Sequence, residues 1–142
     1  MTERRVPIDT GDIVPAYPYL WRWQSRRGET EGRKSRPVCV AITARSADGL
    51  THLALLAITG AAPRADQSAV EIPPLEIRRI GLSEFKQAWI IVSEYNYDVL
   101  ERSFSLEAPA SPLQKLSPNF LKAVLRAFRP MLAAAGARVD RL

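Results

Sequence analysis

Arg36 and Thr59 are the two side chains whose type and spacing point most directly to chemistry. Arg36 closes a flexible cationic stretch, Gly32-Arg33-Lys34-Ser35-Arg36-Pro37, that runs straight into the apolar residues Val38-Cys39-Val40-Ala41-Ile42. Pro37 pushes the residue before it out of the helical region, which sets Arg36 in extended backbone at the mouth of a strand. A guanidinium held there is permanently charged and can grip a phosphate through two parallel hydrogen bonds. Thr59 ends the next apolar run just before Gly60, and a turn near Asp48-Gly49 lies at similar distances from both residues. A hairpin therefore brings them to the same open end. A guanidinium and a hydroxyl beside a flexible glycine can bind one phosphodiester and stabilise charge on its oxygens during cleavage. RNA carries its own nucleophile, the 2′-hydroxyl, so neither a metal nor a protein nucleophile is required. Spacing alone favours the plainer reading, a salt bridge at Arg36 and a strand-end cap at Thr59.

The charge around Arg36 is concentrated. From Trp21 to Arg36 the chain holds Arg22, Arg26, Arg27, Arg33, Lys34 and Arg36 against Glu29 and Glu31, a net +4 of the whole chain's formal +5. Trp21 and Trp23 sit beside these cations, and Gly28 and Gly32 let the loop bend. Such a balance favours an anionic partner: nucleic acid, an acidic peptide or a membrane surface. Other chemistries find few residues. The single cysteine, Cys39, excludes an internal disulfide and a cysteine zinc site, and its apolar strand makes it an inert core thiol. The single histidine, His52, stands alone early in a strand, so no Ser/His or Cys/His pair is expected and no metal centre. Phosphate-binding glycine motifs are absent.

The elements that must position Arg36 and Thr59 are mostly strands. Residues Met1 to Thr10 read as an irregular lead-in, and Arg4 and Arg5 have no apolar run behind them, so no signal peptide is expected. No run of about 20 apolar residues occurs, and a soluble cytoplasmic protein is the expectation. Gly11-Asp12-Ile13-Val14 opens a first strand that Pro15 and Pro18 confine to an edge. Val38, Val40 and Ile42 alternate with Cys39, Ala41 and Thr43, and after Ser46-Ala47-Asp48-Gly49 the chain returns through Thr51 to Thr59. Gly60 to Ser68 reads as a loop with Arg64 and Asp66 at its tip, followed by a short strand, Ala69 to Ile72, stopped by Pro73-Pro74. Leu75 to Ile80 forms a brief turn. Gln87 to Glu94 reads as an internal strand, and Tyr95 to Leu106 holds one more. Ala108 to Pro112 is a linker, and Ser117-Pro118 starts a helix with a side-chain cap and a first-turn proline. Its face of Phe120, Leu121, Val124, Leu125 and Phe128 is expected to pack on the sheet, with an interruption at Pro130 and a stop at Gly136. The 142 residues thus predict one mainly β, α+β domain over residues 1–107, a small antiparallel barrel, with a linker and helix over 108–142.

Gly11-Asp12-Ile13-Val14, then Gly32 to Arg36-Pro37-Val38-Cys39-Val40, resembles the opening of the MazF/PemK family of toxin endoribonucleases. Leu56-Ala57-Ile58-Thr59-Gly60 resembles the family's next strand, and Glu71-Ile72-Pro73-Pro74, Arg78 to Leu82 and Trp89 to Glu94 resemble its PemK-like branch. The similarity runs from about Asp9 to Leu106. It implies an SH3-like barrel of the MazF/PemK/CcdB kind, commonly a homodimer, that cuts single-stranded RNA without a metal or cofactor. The 2′-hydroxyl attacks, leaving a 2′,3′-cyclic phosphate and a 5′-hydroxyl. The family's catalytic arginine falls on Arg36 and its catalytic Thr/Ser on Thr59. Arg26, Arg27, Arg33 and Lys34 then hold the RNA backbone, Trp21 or Trp23 stacks on bases, and the same groove accepts a cognate antitoxin. Where the better-known toxins carry an Asp-Gln pair, this chain reads Ser93-Glu94-Tyr95-Asn96; Glu94 is grouped with the RNA-contacting candidates. Two other classes fit the residues: a non-catalytic RNA- or peptide-binding barrel, and a toxin that inhibits a protein such as gyrase.

Overall fold

A computed structural model describes residues 6–142. In chain order these form β1 (Ile13–Tyr17), α1 (Arg22–Arg26), β2 (Arg36–Arg45), β3 (Thr51–Thr59), β4 (Ala69–Glu71), α2 (Pro74–Arg79), β5 (Trp89–Ile91), β6 (Tyr95–Val99), α3 (Pro118–Phe128) and β7 (Arg138–Asp140). The described residues make a mainly antiparallel sheet of seven strands with a C-terminal helix, an α+β arrangement. Its strand order is β1-β2-β3-β5-β4, with β6 also paired to β3 and β7 lying parallel to β6. No helix among the described residues is long and apolar enough to cross a membrane. Residues 1–5 of the expected lead-in, with Arg4 and Arg5, lie outside the described part.

The β2–β3 hairpin is the centre of the sheet, and its alternation explains why. Val38, Val40, Leu53, Leu55 and Ala57 enter one apolar cluster; Cys39, Ala41, Ala54, Leu56 and Ile58 enter the other, on the opposite face. A hairpin buried on both sides reads in sequence as a nearly unbroken apolar run, as these strands do. The turn falls at Ser46–Gly49 as expected, with Gly49 at φ +83°. β1 lies on the sheet edge, where Pro15 costs no ladder bond, and its register slips between Val14 and Tyr17. That slip sets Tyr17 opposite Arg36.

Several elements differ from expectation. The strand expected over Gln87 to Glu94 is only Trp89–Ile91, because β5 and β6 both pair with β3 along one edge. Between the pairs Ile58↔Ile90 and Leu55↔Asn96, three steps along β3 are matched by six on its partner. The extra residues fall at Val92–Glu94, as in an enlarged β-bulge, and all three are buried. The turn expected over Leu75 to Ile80 is the helix α2. The basic loop contains α1, which begins at Trp21 without a Ser, Thr, Asp or Asn cap; Gln24 Oε1 accepts the Trp21 N–H instead (2.9 Å). Beyond Ala108, α3 sends Val124 and Phe128 into the cluster that holds Cys39 and Leu56, and β7, absent from the sequence expectation, pairs with β6. Pro118 starts α3 and Pro130 sits in the single 3-10 turn that ends it. Ser117, however, makes no side-chain cap. Its N–H donates to Glu76 Oε2 (3.3 Å), so α2 supplies the carboxylate that α3's first turn favours.

Side chains from β6 and its flanks then hold the segment between β1 and α1. Asn96 is fully buried; its Oδ1 accepts the Leu20 N–H (2.9 Å) and its Nδ2 donates to the Leu20 carbonyl (2.7 Å). Arg141 donates to the Pro18 carbonyl (2.7 Å), and Glu94 Oε2 accepts the Arg22 N–H (3.1 Å). Residues 18, 20 and 22 are thereby tied by side chains where a strand would use backbone partners. Tyr17 Oη adds a bond to Asp98 (2.8 Å). Gly32 packs on the same segment, where a Cβ would strike the Pro18 carbonyl. Asn96→Ala leaves the Leu20 N–H and carbonyl unpaired in a dry place and is expected to cost about 2–4 kcal/mol in urea unfolding. A loss below about 0.5 kcal/mol, the size typical of an inconsequential surface change, contradicts this role.

Candidate nucleic-acid interface

The β2–β3 register brings Arg36 and Thr59 to one place. Val38 pairs with Ala57 and Cys39 with Leu56, and the same register carried to the strand ends sets Arg36 across from Thr59. Both line one surface cleft of about 210 Å³, together with Trp21, Trp23, Lys34 and Arg64. A neighbouring cleft of about 260 Å³ shares Trp21, Trp23, Lys34 and Arg36 and adds Tyr19, Gln24 and Arg33. No carboxylate lines either cleft. The surface is cationic and aromatic, the combination that tracks a phosphate backbone and stacks on bases.

Arg36 is the unusual group. Its guanidinium is half-buried, and its Nε is buried with no hydrogen-bond partner. None of the ion pairs among the described residues involves it; the salt bridge left open by the sequence is not formed. Its carbon Cζ lies 5.0 Å from the centre of the Trp21 ring, which in turn packs edge-on against Tyr19 at 5.0 Å. Burial pushes the Arg36 guanidinium below its ordinary range, only partly opposed by Tyr19. A half-desolvated cation with an unmet donor attracts an anion that can pair with it. Thr59 is buried, and its Oγ1 accepts the Ala61 N–H (3.1 Å). That bond uses a lone pair and leaves the hydroxyl proton free to donate.

The remaining candidates are spread differently. Trp21, Trp23 and Lys34 line both clefts, and Arg33 lines one while forming a paired bridge to Glu29 (2.8 and 2.9 Å). Trp23 gathers three guanidiniums, Arg33 at 5.0 Å, Arg64 at 5.5 Å and Arg27 at 5.9 Å. Arg26 lines neither cleft; its Nη2 lies against Gly136. Glu94 is only 3% exposed and sits behind the clefts. Besides the Arg22 N–H, it meets the Arg22 Nε at 3.5 Å and the Tyr19 hydroxyl at 3.5 Å. It holds the Tyr19–Arg22 wall from beneath.

Tyr19, Gln24, Arg64 and Gln67 are cleft residues that the sequence did not single out as such. Arg64 had a usable signal, since the loop after Thr59 must start at the same hairpin end. His52 is not alone: its Nε2 lies 2.9 Å from Ser46 Oγ and its Nδ1 2.5 Å from Tyr97 Oη, and Ser46 also bonds Asp48. The turn folds Ser46 back over the strand, a contact that the sequence reading overlooked. This chain sits at the far end of β3 from Thr59, and neither cleft includes it. Cys39 is fully buried, and burial pushes its thiol up to about 12. Among the described residues, no three His, Cys, Asp or Glu side chains gather as metal ligands would.

Burial holds the Glu94 carboxyl above its usual range, with the Arg22 N–H and guanidinium pulling the other way. In the unfolded chain a glutamate ionises near its ordinary value of about 4.3. Between that pH and its folded value, the folded chain binds the proton more tightly than the unfolded chain. This contribution to stability is complete below the unfolded value and is lost as pH rises through the folded one. The stability of wild type minus that of Glu94→Gln, from urea titrations, is therefore expected to fall across this window and then level. A difference that grows with pH there contradicts the burial.

No family model, curated protein or solved structure matches this chain.

Proposed function

We propose that this chain is a metal-independent endoribonuclease toxin of the MazF/PemK-like kind, acting on single-stranded RNA as one half of a type II toxin–antitoxin pair. The observation that carries the proposal is the half-buried Arg36, with an unpartnered Nε, sharing a carboxylate-free cleft with Thr59. The order of motifs along the chain and the mainly antiparallel sheet support it, and the sheet is read as an SH3-like barrel domain. A homodimer in the cytoplasm, neutralised by an antitoxin whose acidic segment competes for the cleft, completes the proposal.

The chemistry follows from the groups in place. Arg36 and the Thr59 hydroxyl hold the two non-bridging oxygens of one phosphodiester. The neighbouring 2′-oxygen bonds to phosphorus and the bond to the 5′-oxygen breaks, giving a 2′,3′-cyclic phosphate and a 5′-hydroxyl. As negative charge builds on the phosphoryl oxygens, the fixed guanidinium stabilises it without reorganising. Trp21 and Trp23 offer faces to the flanking bases, and Arg33 and Arg64 neutralise adjoining phosphates.

Purified, antitoxin-free protein is expected to cut single-stranded RNA in EDTA, and Arg36→Ala to slow cutting by roughly 10²–10³-fold, the usual cost of losing one transition-state donor. Gel analysis of an end-labelled RNA set of varied sequence reads both. Salt-sensitive binding with no product from wild type identifies the non-catalytic barrel instead. Intact RNA together with a captured topoisomerase subunit identifies the gyrase-directed alternative.

A further inference from the structure

Among the cations at the cleft, one is chemically different. Arg33, Arg36 and Arg64 are guanidiniums; Lys34, which lines both halves beside Arg36, is the sole ammonium there. A guanidinium stays charged under any condition in which RNA is handled, whereas an ammonium is the stronger acid of the two. Other proton carriers are out of place. His52 lies at the other end of β3, and Glu94 is buried behind the wall. The Tyr19 hydroxyl is fully buried, and burial holds it well above the usual phenol range. Lys34 is exposed, and none of the ion pairs among the described residues occupies it, while Glu29 takes up Arg33. It stands two residues before Arg36, at most about 7 Å away along the backbone, and lines the same clefts, so its long stem reaches the same phosphodiester.

The cleavage above has one step that these groups must serve. When the bond between phosphorus and the 5′-oxygen breaks, the departing oxygen needs a proton, because an alkoxide is a poor leaving group. We propose that Lys34 is the general acid that protonates the departing 5′-oxygen, a role that rests on the endoribonuclease reading of the cleft. The 2′-hydroxyl gives its proton to water as its oxygen bonds to phosphorus. Lys34 Nζ gives one to the 5′-oxygen as that bond breaks, and water restores the ammonium. Arg36 and Thr59 stay on the non-bridging oxygens throughout.

The test uses two RNAs that differ only at the linkage cut by wild type: one natural, the other with sulfur in place of the bridging 5′-oxygen. A thiolate leaves without protonation, so the sulfur RNA bypasses the acid. Lys34→Ala is expected to slow the natural RNA by roughly 10²–10⁴-fold yet cut the sulfur RNA within about threefold of wild type. Lys34→Arg keeps the charge but not the acidity and is expected to follow the same split. Arg36→Ala is expected to be slow on both. Equal slowing of both RNAs by Lys34→Ala makes Lys34 a phosphate contact only and overturns the proposal, as does wild-type cutting of the natural RNA by that variant. Wild-type protein that cuts neither RNA removes the endoribonuclease reading, and Lys34's role with it.

Discussion

A row of buried polar side chains, Glu94, Asn96 and Asp98, holds together what this molecule presents to its surroundings. They alternate along β6 and the jog before it, so they project from one face toward the segment of residues 17–22. Each meets a group there that would otherwise be buried and unpaired: Asp98 the Tyr17 hydroxyl, Asn96 both backbone groups of Leu20, Glu94 the Arg22 N–H. Such groups are costly to leave unmade, so the interaction is stringent in both directions. If the segment moves, polar atoms on both sides lose partners in a dry interior. The segment is therefore as firmly placed as a strand, though it is not one.

The cleft inherits that rigidity. Trp21 stands on the clamped segment, Tyr19 supports it edge-on, and the Trp21 face receives the Arg36 guanidinium. Arg36 itself is anchored by two neighbours in the sheet, Tyr17 on one side through β1 and the Thr59 end of β3 on the other. The fold thus bears the cost of half-burying a cation in advance of any ligand. Most other charge of the basic loop is already spent locally. Arg33 faces Glu29, Arg22 faces Glu94, and Arg27 stacks on Trp23. What began as a net charge of one segment resolves into a few cations with unequal tasks, of which Arg36 and Lys34 face the cleft without a carboxylate.

The hairpin and its open end were legible in sequence because two apolar runs and one turn determine a register, and a register determines which residues meet. Arg36 and Thr59 needed nothing more. The clamp was not legible, since Asn96 and Leu20 are 76 residues apart and join through an amide side chain that no periodicity marks. Glu94 was grouped with the RNA-contacting candidates; the jog between β5 and β6 leaves it buried instead. β7 is three residues long, with one buried side chain, too short for alternation to announce it. α1 lacks a capping residue, and α3 takes its cap from Glu76, so both helix starts depend on a partner distant in sequence or on an uncommon local acceptor.

The chemistry assigned to the cleft depends on the substrate's own 2′-hydroxyl. The most direct measurement is the chemical nature of the ends produced by wild-type protein in EDTA, together with the response to a single 2′-deoxy substitution at the cut linkage. The arrangement of Arg36 and Thr59 predicts a 2′,3′-cyclic phosphate and a 5′-hydroxyl, and no cutting at the deoxy-substituted position. Ends bearing a 3′-hydroxyl and a 5′-phosphate, or undiminished cutting at the deoxy linkage, contradict it.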